Sequence, residues 1–367
     1  MENYYPVSNP TLNGNEVKYA IDCLQSTWIS SKGKYINTFE TAFAKQHDSL
    51  HGIACNNGTS ALHLALMSLG CNAGDEIIVP TLTFVATANA VTYCGAKPVL
   101  VDAEEDTWNI DPSAIEKAIT ENTKGIIVVH LYGHPTNMDP VMDVAKKYNL
   151  FVIEDAAEAH GAEYKGKKVG SIGDCGTFSF FGNKIITTGE GGMITTNNRQ
   201  LAQSMKKLSS HGMDPSERYW YPQVGYNYRM TNIQAAIGYA QLENLDWHLS
   251  QRKRIASLYN EQLKGHPSLV LPKEADWAKH SYWMYSVLLP VKTRKERDSI
   301  MADLLKKGIE TRPFFYPMHV LPPYEDKRKG AYPVAERLYV KGINLPSYAS
   351  LQEEDIAYIS TSLLESL

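Results

Sequence analysis

LFVIEDAAEAHGA, residues 150–162, opens with four apolar residues and turns abruptly acidic at Glu154 and Asp155. A strand with one face in water alternates apolar and polar side chains, whereas a strand covered by helices on both faces is apolar throughout. Leu150 to Ile153 therefore reads as a buried strand of a parallel sheet, with the acidic pair at its carboxyl end. Ligands of open parallel sheets gather outside that end. A carboxylate there either caps the next helix or holds a ring nitrogen protonated, and this stretch alone leaves both readings open.

Working outward, Glu76 to Val79, Pro98 to Val101 and Gly125 to Val129 are further short apolar runs. Helical periodicity separates them: Ser60 to Gly70, and Asp139 to Tyr148 with Asp139 as expected N-cap and Pro140 in the first helical position. Strands alternating with helices predict an α/β protein with a mostly parallel sheet. After Asn227 the pattern changes to a long helix over Asn232 to Leu263. Strand-like SYWMYSVLLPV and the proline-rich RPFFYPMHVLPPY follow. The expected boundary lies near the middle of that helix, giving a large domain over 1–245 and a smaller one over 246–367.

Composition narrows the function. The chain has 367 residues, 43% hydrophobic and 21% charged, enough for two cores of a globular protein. A net charge of -4 gives no electrostatic reason to expect nucleic acid or an anionic membrane. The polar start, MENYYPVSNPTLNGNE, has no secretory signal and no apolar run is long enough to span a bilayer, so a cytoplasmic location is expected. Cys23, Cys55, Cys71, Cys94 and Cys175 are widely spaced, without a CxxC pair, and read as reduced, mostly buried residues. His130 and His134 flank a Gly-Pro turn instead of sharing a helix face, and His160 reads as packing; no metal site is expected.

Two further segments carry chemistry. In CNNGTSALHLAL, residues 55–66, a small-residue turn opens an amphipathic helix, leaving backbone N–H groups at Gly58, Thr59 and Ser60 as a cradle for phosphate. It lacks the spacing of a P-loop or a dinucleotide site. TFSFFGNKIITTGEGGMITT, residues 177–196, holds one lysine, Lys184, between an apolar run and a glycine-rich turn. A lysine kept partly neutral forms a Schiff base with a carbonyl, while a lysine in a turn is ordinarily a solvated charge. Between Asp155 and Lys184 there is room for one more helix and strand to return the chain to the same sheet edge.

Phosphate cradle, carboxylate and lysine occur in the order of fold-type I pyridoxal-phosphate (PLP) enzymes. The chain resembles the DegT/DnrJ/StrS family of nucleotide-sugar aminotransferases along its whole length. TWISSKGKYINTFE, NNGTSALHLAL, GDEIIVPTLTFVATANA, VHLYGHPTNMD, VIEDAAEAHGA, SFFGNKIITTGEGGM and GYNYRMTNIQAAIG carry the likeness. The resemblance implies a large mixed, mostly parallel sheet flanked by helices, with a smaller C-terminal α+β domain. It implies that Lys184 bears PLP and moves protons, that Asp155 pairs with the pyridine nitrogen, and that Glu158 sits by the phenolic oxygen, where many members have glutamine. Thr59, Ser60 and Ser179 would hold the phosphate and Phe84 would stack on the ring. Asn227 would reach the phosphate of a neighbouring subunit, making the active unit a homodimer.

The same likeness makes Trp28, Arg229, Arg312, Tyr316 and His319 candidates for sugar and nucleotide contact, with core packing or capping as the plain alternative for Trp28, Tyr316 and Arg312. WISSKGKYI, ETRPFFYPMH and GINLPS lean towards members that aminate C4 of a GDP-linked 4-keto-6-deoxy sugar, with L-glutamate as donor; dTDP- and UDP-linked sugars are the alternatives. Dehydratases of the same fold replace the lysine with histidine, so Lys184 favours amino transfer. A non-catalytic protein of this fold would have no need for Lys184, Asp155 and Ser179 together.

Overall fold

Residues 4–328 and 330–367 are described in a computed structural model, so the first three residues of the polar amino-terminal stretch lie outside it. Seven strands form one sheet: β1 (His51–Cys55), β2 (Glu76–Pro80), β3 (Lys97–Val101), β4 (Thr123–Val129), β5 (Phe151–Asp155), β6 (Cys175–Ser179) and β7 (Gly192–Thr196). Their spatial order is β1-β7-β6-β5-β4-β2-β3, with β7 alone antiparallel to its neighbours. The four strands expected of this sheet are present within two residues of their predicted ends. Fully buried Ile126, Ile127, Val152 and Ile153 explain the unbroken apolar runs, each such side chain contributing about 1.5–3 kcal/mol on burial.

Helices cover both faces. In the amino-terminal part these are α1 (Glu16–Gln25), α2 (Lys34–Gln46), α3 (Gly58–Ser68), α4 (Ala86–Tyr93), α5 (Met138–Tyr148) and α6 (Arg199–Ser209). Asn57 caps α3, its side chain accepting from Ser60 N at 2.8 Å. The expected cap of α5 is corrected: Asn137 precedes the helix and Asp139 lies inside its first turn, its carboxylate drawn 2.6 Å from Lys165 Nζ. The long helical pattern resolves into α7 (Asn232–Glu243) and α8 (Leu245–Leu263), broken at Asn244.

Beyond α8, strands Tyr285–Leu288, Arg312–Pro313 and Gly342–Leu345 form a small antiparallel sheet. Its apolar side chains join Ile255, Tyr259, Leu304 and Leu363 in a separate core. The whole is the expected α/β arrangement, a large, mostly parallel sheet flanked by helices plus a smaller α+β unit. No helix among the described residues is long and apolar enough to cross a membrane.

Candidate active site

The acidic pair at the end of β5 splits into two jobs. Glu154 is fully buried on one side, where it accepts from the N–H groups of Gly170, Ile172 and Gly173 at 2.7–2.8 Å and meets His130 Nε2 at 3.1 Å. His130 Nδ1 accepts from Thr136 N at 3.0 Å, which leaves the ring proton on Nε2, facing Glu154. That network fixes the strand end. Asp155, one residue on, projects to the opposite face and lines a cavity of about 660 Å³.

Around this cavity the fold gathers Gly58, Thr59 and Ser60 from the start of α3 with Phe84, Asp155, Glu158, Ser179 and Lys184. Gly58 is required by closeness: a Cβ there would lie 2.8 Å from the Ser179 Cβ. Asp155 Oδ2 accepts from Thr87 Oγ1 at 2.8 Å and Oδ1 from Ala157 N at 3.2 Å. Burial raises the Asp155 pKa, and the Thr87 hydroxyl is the first of the contacts that oppose it. Glu158 accepts from Tyr132 N at 2.7 Å, and burial pushes its carboxyl up to about 7, with Lys184 acting against the rise. Burial lowers the Lys184 amine from its usual value, with Glu158 and then Asp155 opposing. An amine brought down in this way is the nucleophile that a Schiff base requires.

Tyr132 holds a left-handed backbone at φ 52°, unusual for an aromatic residue, and its N–H is thereby aimed at Glu158. Lys184 Nζ lies 3.9 Å from the centroid of the Trp283 ring, whose Nε1 donates to Asn183 O at 2.7 Å. Thr87, Tyr132, Trp283, Phe315 and Asn344 were not singled out by sequence; the last three come from the C-terminal part, and only folding brings them over β5. Thr87 lies within GDEIIVPTLTFVATANA, and its place in the first turn of α4 was the signal available.

The substrate candidates separate. Arg312 lines the cavity, 3.4 Å from Glu310. Tyr316 is exposed beside Tyr339 and accepts from Arg294 at 3.2 Å. His319 is buried away from the cavity lining, its Nδ1 2.7 Å from Thr81 Oγ1 and its ring stacked on Tyr332. Trp28 is exposed, and its carbonyl accepts from Asn232 Nδ2 at 2.6 Å. Asn227 and Arg229 also lie outside the lining; Arg229 Nε donates to Asn227 Oδ1 at 3.0 Å.

A lysine of lowered pKa, a buried carboxylate pair and a helix N-terminus around one cavity define the class of PLP enzymes of fold-type I. Residues 10–364 match the DegT/DnrJ/EryC1/StrS aminotransferase family, and the chain belongs to it. It is 54% identical to the GDP-perosamine synthase of Caulobacter vibrioides, over 97% of this chain and 96% of that one. With the GDP-perosamine synthase of Escherichia coli O157:H7 it shares 50% identity over 99% and 98%. Among solved structures, the Streptococcus pneumoniae protein Spr1654 in its PLP form superposes with a TM-score of 0.93 at 30% identity, over all of both chains. The protein is thus a PLP-dependent sugar aminotransferase. The donor set fits the cofactor: an amine for its aldehyde, a hydrogen-bonded carboxylate for its ring nitrogen, and a helix N-terminus for its phosphate.

Proposed function

We propose that this protein transfers an amino group from L-glutamate to the 4-keto carbon of GDP-4-keto-6-deoxy-D-mannose, giving GDP-perosamine. The observation that carries the reading is the convergence of Lys184, Asp155 and Glu158 on one cavity; the 54% and 50% identical relatives, named for that product, support the substrate.

PLP, when bound, supplies an aldehyde for amines to capture and a pyridinium ring that draws electrons from the carbon beside the captured nitrogen. Lys184 Nζ would hold the cofactor through its aldehyde and would serve as the base that moves a proton at the reacting carbon. Asp155 would stand against the ring nitrogen, and Thr87 Oγ1 and the Ala157 N–H hydrogen-bond its carboxyl and oppose the rise that burial imposes on its pKa. Glu158, its carboxyl pushed up to about 7 by burial, would stand by the phenolic oxygen and would hold or release a proton there. Gly58, Thr59, Ser60 and Ser179 would hold the phosphate, and Phe84 would cover the ring. Arg312, like Lys184 on the cavity lining, is placed for an anionic group of donor or sugar nucleotide; Trp28, Arg229, Tyr316 and His319 remain candidates from the flanking loops.

The active unit is a homodimer with shared sites. Asn227 is exposed and outside its own cavity lining, and Trp28, Phe84, Phe181, Trp220 and Val224 leave large apolar surface uncovered. Residues 1–245 form the cofactor domain and 246–367 the second domain. The enzyme works in the cytoplasm, supplying an O-antigen sugar for lipopolysaccharide.

Incubation with L-glutamate and a panel of GDP-, UDP- and dTDP-linked 4-keto sugars, with products identified by NMR, tests the reading. Turnover of the GDP sugar to its 4-amino product is expected. Turnover confined to dTDP or UDP sugars would overturn the substrate and leave amino transfer standing, whereas loss of a hydroxyl without amination would indicate dehydration.

A further inference from the structure

Tyr228 stands between Asn227 and Arg229 in an extended stretch. Asn227 bridges Ser210 and Arg229 bridges Cys55 of β1, while Asn56 N donates to Tyr228 O at 2.9 Å. Extended backbone sends alternate side chains to opposite faces. Tyr228 turns into the chain's own cavity, where its hydroxyl lies 3.1 Å from Nδ1 of His63. On the other face, Arg229 Nε holds Asn227 Oδ1 at 3.0 Å.

His63 sits on α3 one turn beyond Ser60, so its ring rides on the helix whose N-terminus faces the phosphate. It is buried, lines the cavity, and its Nε2 has no hydrogen-bond partner among the described residues. The Tyr226 ring, stacked on Tyr228 at 4.9 Å, walls the pair in and lies 5.0 Å from His63. The bond joins two side chains, and it ties the His63 ring on α3 to a stretch whose backbone is paired with Ser210, Cys55 and Asn56, so a shift of α3 is carried to the residues flanking Tyr228, Asn227 among them.

We infer that the His63–Tyr228 hydrogen bond positions Asn227, so that the phosphate helix of one subunit sets cofactor binding in the other. The inference rests on the shared-site dimer proposed above. His63 and Tyr228 are positioning residues here, acting through Asn227 and across the subunit boundary.

Hybrid dimers, purified through two different affinity tags and stripped of cofactor, separate the two subunits' effects. A chain with Lys184→Ala cannot give the absorbance of lysine-bound cofactor, so a PLP titration followed at that band reads one site only. In the first hybrid, an unaltered chain pairs with a Lys184→Ala, Tyr228→Phe chain, and the reporting site receives its loop from the altered chain. In the second, a Tyr228→Phe chain pairs with a Lys184→Ala chain, and the reporting site receives an unaltered loop.

Relative to the hybrid with Lys184→Ala alone, the first should bind PLP about fivefold more weakly, the effect of one lost hydrogen bond, and the second should be unchanged. Weakening in the second, equal weakening in both, or no change in either overturns the coupling. Asn227→Ala replaces Tyr228→Phe as the control. If it does not weaken the first arrangement, the shared-site reading fails; if it does while Tyr228→Phe does not, only the role of His63 and Tyr228 fails.

Discussion

Thr87 Oγ1 donates to Asp155 Oδ2 across 2.8 Å in a buried setting. The bond, from a residue of α4 to the end of β5, favours the carboxylate form and opposes the rise in pKa that burial imposes. Thr87→Val keeps the shape and removes the donor. Hydrogen bonds to charged groups contribute about 1.5–3 kcal/mol, so kcat should fall at least tenfold with little change in KM for the keto sugar. Without the donor the Asp155 carboxyl protonates at higher pH, so the acid limb of the kcat profile should move upward. Steady-state kinetics between pH 5 and 9 check both.

Glu158 gives a stability prediction of opposite sign to the usual carboxylate. Its folded-state pKa is raised to about 7 from 4.5, so the folded protein retains a proton that the unfolded chain has lost. Stability of the cofactor-free protein therefore falls as pH rises from 4.5 towards 7, and the penalty is complete above 7. Glu158→Gln keeps an acceptor for Tyr132 N and removes the charge. It should stabilise the cofactor-free protein by an amount on the order of 2–3 kcal/mol at pH 8 and leave it unchanged near pH 4. Urea denaturation at the two pH values measures this.

Glu154 should prove structural although it adjoins Asp155. Its carboxylate meets four donors in a fully buried position. Glu154→Gln would turn an amide donor towards N–H groups, and a loss on the order of 3 kcal/mol in unfolding free energy is expected. The denaturation midpoint of the purified variant is the measurement.

Parallel strands were legible because helices on both faces forced Ile126 to Val129 of β4 and Phe151 to Ile153 of β5 to be apolar without a break. The cofactor cradle was legible because it is local: Gly58, Thr59 and Ser60 are consecutive, and Asp155 and Glu158 share one turn. What periodicity does not encode is which distant segment closes the cavity. Trp283 reaches Lys184 and Tyr132 turns its N–H to Glu158 through tertiary packing and a left-handed residue. For the same reason His319, drawn from an aromatic, proline-rich loop, sits under Thr81 instead of in the cavity. The break at Asn244 was blurred because one residue separates the two helices and neither proline nor glycine marks it, and the cap of α5 was misplaced because Asp139 is engaged by Lys165.

The central claim is that Lys184 carries the cofactor and gives it up to an amino donor. Borohydride reduction of the holoenzyme followed by peptide mass spectrometry tests it in one step. The account predicts a pyridoxyl group fixed on Lys184, and its disappearance when L-glutamate is added before the reductant without keto sugar. Labelling of a different lysine, or a Lys184 label that glutamate leaves untouched, would contradict it.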